Sequence, residues 1–169
     1  MTKAALLLDV DGPLNAYTAR DRSMEGRTIH QATTSTGETF PVRMRASDGP
    51  DLLNTGCELI WATTWEDDAN KAIGPLIGLP NLPVIDWIDR DHWNPERLYW
   101  KTKRIVSWMN ENRPGIPFLW LDDEVTKRDR VFIEENCAEG SGILLITPRY
   151  GLEEGHFERI EEWKNEINS

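Results

Sequence analysis

Four short groups of residues could do chemistry together: Asp9-Val10-Asp11-Gly12, Thr63-Thr64-Trp65, Lys101 and Asp122-Asp123-Glu124. Carboxylates can attack, move protons or hold a hard cation. A hydroxyl can hydrogen-bond an oxyanion, and an ammonium can neutralise one. Phosphoryl transfer asks for an in-line nucleophile, charge neutralisation and a proton donor for the leaving oxygen, and this set holds candidates for each. Singly, every member has a plainer reading. An Asp pair in a loop turns or caps the chain, and a threonine after an apolar run is a β-branched strand residue. A lone lysine belongs on the surface, and Asp122-Asp123 could cap the helix that follows. What sets them apart is their joint order, each beside the end of an apolar run or within a helix-like stretch.

The elements that must position them are legible as apolar runs. Ala4–Asp9, Glu58–Thr63, Leu82–Trp87, Pro117–Leu121 and Gly142–Thr147 are short and continuous, the pattern of strands buried on both faces. Helix-like stretches cover 66–73, 96–111, 124–137 and 152–167, with Pro95 suited to a first turn and Asp122 or Asp123 to a cap. The alternation predicts an α/β fold with a mostly parallel sheet of about five strands and helices on both faces. Ligands bind such sheets outside the carboxyl ends of the strands, so the acids, hydroxyls and lysine are expected at one edge. Thr28–Thr34 and Thr39–Arg45, around Ser35-Thr36-Gly37-Glu38, read as a hairpin projecting after the first strand. Residues 1–169 are expected to form one domain, with 15–45 as a flap-like insertion.

Length and composition agree. The 169 residues fit one domain, and 39% hydrophobic and 28% charged residues are ordinary for a globular protein. The apolar runs fall far short of the ~20 residues a membrane span needs. Met1-Thr2-Lys3 leads directly into the first run, so no signal peptide is read and a cytoplasmic location is expected. Cys57 and Cys137 have no metal-type spacing and read as reduced thiols. The net charge of −10 disfavours a nucleic-acid partner, whose affinity comes from neutralised phosphates, without excluding a local basic patch. Much of the acid lies in 151–169, where Phe157, Ile160, Trp163 and Ile167 recur at helical spacing: a packed terminal helix with a solvated face. No membrane partner is expected, and a homo-oligomer is left open.

Rival motifs fail. A calcium loop starting at Asp9 would need a glycine where Leu14 stands and a glutamate where Arg20 stands. No Gly-x-x-x-x-Gly-Lys phosphate loop exists. His30, His92 and His156 form no zinc-type pairing, and His92 reads as structural or exposed. The tryptophans read mainly as core, with Trp65 placed to wall a pocket beside Thr63-Thr64.

In this order the groups resemble the motifs of the haloacid dehalogenase (HAD) superfamily of hydrolases. Asp9-Val10-Asp11-Gly12 matches the first motif, Thr63 the second, Lys101 the third, and Asp122-Asp123 after Phe118-Leu119-Trp120-Leu121 the fourth. Thr64 could stand in for Thr63 and Lys103 for Lys101, and Pro13 is a departure in loop shape. The resemblance implies a three-layer Rossmann-like fold. The stretches Asp11–Thr63 and Thr63–Lys101 leave no room for a full cap domain, so the small capless form is implied.

The resemblance also implies roles. Asp9 is the nucleophile that forms an aspartyl-phosphate, and Asp11 protonates the leaving group and then activates water. Thr63 hydrogen-bonds the transferring phosphoryl group, and Lys101 offsets charge. Asp9, Asp11, Asp122 and Asp123 form the metal set, and Mg2+ suits carboxylates plus a substrate phosphate. Like charges at ~4 Å repel by roughly 4 kcal/mol at an effective dielectric of 20. A metal-dependent site is therefore expected, with one carboxylate's pKa raised when no metal is bound. An acid at Asp11 favours phosphate esters, because a dehalogenase has no alkoxide to protonate. The function expected is a phosphate monoester hydrolase acting on a phosphorylated substrate of unknown class. Alternatives are a phosphotransferase, or a phospho-accepting or non-catalytic module on the same scaffold. Arg20, Arg22, Arg27, Arg43, Arg45 and Arg149 are candidates to grip an anion, against the plainer reading of a solubilising surface.

Overall fold

The computed structural model describes residues 3–87 and 94–169. His92 lies outside the described residues. Strands β1 (Ala5–Leu8), β4 (Glu58–Trp61), β5 (Phe118–Asp122) and β6 (Gly142–Leu145) form one sheet in the order β4-β1-β5-β6, and every neighbouring pair is parallel. β2 (Thr28–Thr33) and β3 (Thr39–Met44) make the expected antiparallel hairpin. The helices are α1 (Asp48–Asn54), α2 (Thr102–Asn112), α3 (Lys127–Asn136) and α4 (Glu154–Ile167).

Parallel strands with apolar side chains on both faces need cover on both faces, and the core divides accordingly. Leu6, Leu8, Leu59, Trp61, Leu119 and Leu121 pack on one side with Leu52 of α1, Ile160 and Trp163 of α4, and Ala32, Val42 and Met44 of the hairpin. Ala5, Leu7, Ile60, Phe118 and Trp120 pack on the other with Ile105, Trp108 and Met109 of α2 and Ile133 of α3. The result is a three-layer α/β arrangement. The hairpin does not stand away from the sheet, because its buried face belongs to the first of these clusters. The acidic C-terminal helix buries Ile160 and Trp163 and turns its glutamates outward, as its periodicity implies.

Three expected elements differ. The apolar run Leu82–Trp87 touches the edge strand β4 only at a single bridge, Val84 to Trp61. Pro83 has no N–H to give a ladder, and Asn70 engages both the N–H and the carbonyl of Leu82. The main sheet therefore has four strands and one bridged segment. The stretch 66–73 becomes tight turns and a wide-coiled segment, Ala69–Ile73, followed by a 3-10 turn, Gly74–Ile77. Residues 96–101 are not helical: Arg97 sits at φ +54°, and Asn94 closes a turn on Leu98, so Pro95 lies outside the helix.

Cys57 and Cys137 are free thiols. Among the described residues no helix is long and apolar enough to cross a membrane.

Candidate active site

The chain leaves β1 in one direction through the hairpin and α1 to reach β4, and returns through α2 to reach β5 on the other side of β1. The two connections lie on opposite faces of the sheet. A crevice is thus expected at the carboxyl end of β1, where the winding reverses. Register fixes what stands there. Leu8 pairs with Trp61 and Leu121, so Asp9, Ala62 and Asp122 come next at one level. The Asp9 N–H donates to Leu121 O at 3.1 Å, and the Ala62 N–H to Leu8 O at 2.8 Å.

Side-chain alternation then decides which groups meet. Asp9 follows Leu7 on the face covered by α2, and Asp122 follows Trp120 on the same face. Lys101, immediately before α2, reaches both from above that face. Its Nζ lies 2.8 Å from Asp9 Oδ2 and 2.9 Å from Asp122 Oδ2, and donates to Ala62 O at 3.2 Å. An ammonium has three N–H donors, and all are engaged. Lys103 points elsewhere and pairs with Glu96 at 3.0 Å.

Asp122 is not a helix cap. The cap of α3 is Thr126, whose N–H and hydroxyl both donate to Asp129 Oδ2 at 2.7 and 2.6 Å. With that end satisfied by a reciprocal pair, Asp122 and Asp123 are left to the edge of the sheet. Asp123 projects beside Gly12 and accepts the Tyr17 hydroxyl at 2.8 Å. Gly12 is required there: its φ is +106°, and a Cβ would fall 2.6 Å from Asp123 Cγ. One oxygen from each of Asp9, Asp122 and Asp123 can be chosen so that all lie within 4.8 Å of one another. Three hard oxygen donors at that spacing fit a small divalent cation.

The Asp11 carboxylate stands apart from that group. Its Oδ1 accepts Asn15 Nδ2 at 2.7 Å and its Oδ2 accepts Trp65 Nε1 at 3.1 Å. Asn15 in turn accepts the N–H of Arg43 on β3, linking the acid to the hairpin. Thr63 is fully buried. Its hydroxyl accepts the Trp65 N–H at 3.3 Å, and its carbonyl accepts Trp87 Nε1 at 2.8 Å. Exposed Thr64, rather than Thr63, lines a cavity of about 210 Å³ with Asp9, Asp11, Tyr17, Lys101 and Asp123. The site thus gathers Asp9, Lys101, Asp122 and Asp123 into one contact group, with Asp11 and Thr64 on its wall.

The electrostatics follow from burial. Burial pushes the Asp9 carboxyl up to about 8; the Lys101 ammonium opposes that rise, and the Asp122 charge adds to it. Burial works against the charge of Lys101, but the Asp9 and Asp122 carboxylates outweigh it and hold the ammonium above its usual value. Asp123 is raised by burial, against the lowering effect of the Tyr17 hydroxyl. For both acids burial is the largest cause, and the neighbouring carboxylates add to it.

Asn15, Tyr17 and Tyr99 escape the sequence reading. Tyr99 donates its hydroxyl to Glu124 at 2.9 Å, and its ring lies 5.8 Å from Lys101 Nζ. Asn15 had a local signal, being four residues beyond Asp11; Tyr17 meets Asp123 across 106 positions and had none. The arginines divide. Arg27 is buried and donates to the carbonyls of Leu14, Arg43 and Tyr150, and Arg45 donates to Leu152 O. Both guanidiniums are thereby engaged in tying the hairpin to neighbouring loops. Arg43 donates to Tyr17 O at 3.2 Å.

No curated protein matches the chain. A protein-family model does match, over residues 5–157, and it spans every strand, the hairpin, the three carboxylates and Lys101. The chain belongs to the family described as the HAD domain in Swiss Army Knife RNA repair proteins.

Proposed function

We propose that the protein is a Mg2+-dependent phosphate monoester hydrolase that works through an aspartyl-phosphate on Asp9. HAD membership points to a hydrolase of the phosphatase type. The observation that carries the finer reading is the Lys101 ammonium bridging Asp9 and Asp122, with Asp123 alongside, at the reversal point of the sheet. Bound by oxygens of Asp9, Asp122 and Asp123, Mg2+ would supply positive charge to the phosphate oxygens.

This chain's residues do the rest. A carboxylate oxygen of Asp9 attacks phosphorus in line, and the bond from phosphorus to the leaving oxygen breaks. Asp11 gives its proton to that oxygen, so the alcohol departs neutral. Asp11 then takes a proton from water as the water oxygen attacks phosphorus, which returns Asp9 as a carboxylate and releases phosphate. Asp11 is suited to both halves because it lines the small cavity and a second, larger one beside it. Lys101 holds Asp9 in position and offsets charge on the phosphoryl group. Thr64 is the wall hydroxyl within this cavity, and Thr63 shapes the turn behind it. The 15–45 segment is read as a flap within one domain rather than a cap. The family's description supports a phosphate-bearing RNA end as the substrate class.

The test is release of phosphate from an aryl phosphate, with and without Mg2+, beside Asp9→Asn. Cation-dependent turnover that disappears in Asp9→Asn is expected. Turnover that survives either chelation or the substitution overturns the mechanism.

A further inference from the structure

The larger cavity, of about 500 Å³, adjoins the phosphoryl site and shares Asp11, Tyr17 and Thr64 with it. Its far wall is the hairpin. Phe40 stands edge-on to Trp65 with ring centroids 5.8 Å apart, and Phe40 and Tyr17 remain 45% and 40% exposed. The wall is already built: the N–H and hydroxyl of Ser35 at the hairpin tip both donate to Asp68 Oδ2, at 3.0 and 3.1 Å. The polar lining is mostly hydroxyls and carboxylates, Thr34, Thr36, Glu38 and Asp68 among them; the one amide, Asn15, is engaged by Asp11 and the Arg43 N–H, and among the described residues the lining includes no lysine or arginine.

A phosphate ester held at Asp9 must direct its leaving group past Asp11, the proton donor, and Asp11 is where the two cavities meet. The chemistry of that second space is specific. Exposed aromatic rings favour a flat π-system. Acceptor oxygens favour N–H donors. Carboxylates in a lining that holds no lysine or arginine repel a second phosphate. A sugar bisphosphate fits poorly, and the rest of a strand beyond its end nucleotide must lie outside the cleft. A single terminal nucleotide meets every condition, because its base is flat and uncharged and bears N–H groups. Resting on the phosphatase reading, we infer that the hairpin cleft is a nucleobase subsite, which recognises the end nucleotide of the substrate by its base.

The experiment uses the Mg2+-loaded protein. Turnover of nucleoside 3′- and 5′-monophosphates is compared with that of ribose 5-phosphate, which lacks the base. Calorimetry on Asp9→Asn measures binding of the same compounds without turnover. One aromatic platform predicts a preference of about tenfold or more in KM and in affinity for at least one nucleotide. The 3′ and 5′ arms tell which end is held. Phe40→Ala should bring the nucleotide down to the level of ribose phosphate, and Phe40→Tyr should keep the preference. Ribose phosphate handled as well as both nucleotides overturns the subsite and leaves the phosphatase reading standing. Nucleotide binding that depends on Phe40 without any turnover supports the subsite and overturns the phosphatase reading. Neither binding nor turnover overturns both.

Discussion

Two places in the molecule bury acid with base, and they use them in opposite ways. At the carboxyl edge of the sheet, Lys101 sits within 2.9 Å of both Asp9 and Asp122. At the start of α1, Asp48 is buried among Arg27 and Arg45, yet its Oδ2 has no hydrogen-bond partner among the described residues. The arginines there give their N–H groups to backbone carbonyls instead. A guanidinium is a rigid fork of several donors, suited to strapping chain segments together; an ammonium is a compact charge that can serve two carboxylates at once. The first cluster concentrates charge where a reaction can use it. The second holds the hairpin in place and leaves its carboxylate strained by desolvation.

Breaking the charge cluster should have the largest effect. Lys101→Met leaves two buried carboxylates facing each other, and removing one partner of a buried pair costs about 3–5 kcal/mol. Denaturant unfolding without metal should show that loss, and phosphate release should fall to background. Arg27→Met should also destabilise in the same assay, by up to about 1–3 kcal/mol for each of its three hydrogen bonds, but the folded fraction should keep its turnover. Equal losses of turnover in both variants would erase the distinction.

Next in size is Asp11→Ala. General acid–base catalysis contributes about 10²–10⁴-fold, so kcat should drop by that order. Cation affinity by calorimetry should be retained, because the Asp11 carboxylate is bonded to Asn15 and Trp65, outside the three-acid group. A matching loss of cation affinity would place Asp11 in that group after all.

The pH dependence sharpens the comparison. Burial raises Asp9 to about 8 and Asp48 to about 7, from an ordinary value of 3.8. Between about 4 and those values the native state keeps protons that the unfolded state has lost, so stability declines as pH rises. Each retained proton contributes up to about 1.4 kcal/mol per pH unit. Melting temperature measured without metal should therefore fall from pH 5 to pH 8. Mg2+ should remove the part due to Asp9 and leave that of Asp48, whereas Asp48→Asn should remove the latter alone. The smallest effect belongs to Lys103→Ala. Its pairing with Glu96 is partly exposed, so stability should change by no more than about 0.5 kcal/mol and turnover not at all.

The sequence made most of this legible where burial alone decides. Continuous apolar runs mark β1, β4, β5 and β6, because a strand covered on both faces has no polar alternation to hide. The same signal misleads at Leu82–Trp87, since an apolar run records burial and says nothing about where its backbone hydrogen bonds go. There Asn70 and Pro83 take the run out of the ladder. Helix α2 starts several residues later than periodicity implies, because one left-handed residue, Arg97, breaks a pattern that periodicity alone would extend. At the site, groups at strand ends could be read directly, as register places them. Tyr17 on Asp123 and Tyr99 on Glu124 could not, because those contacts exist only once distant segments have packed.

The full engagement of Lys101 has a consequence for the sequence of events at the site. Three carboxylates stand against one ammonium whose donors are all taken, by Asp9, Asp122 and Ala62. A phosphate dianion approaching that arrangement meets carboxylate charge in excess of the ammonium and no vacant donor on Lys101. Under the proposed function, a dication held by Asp9, Asp122 and Asp123 would balance those charges and leave Lys101 an N–H for the ester. Binding would then be ordered, cation before ester, and a phosphate mimic should find no purchase on the protein until the cation has arrived.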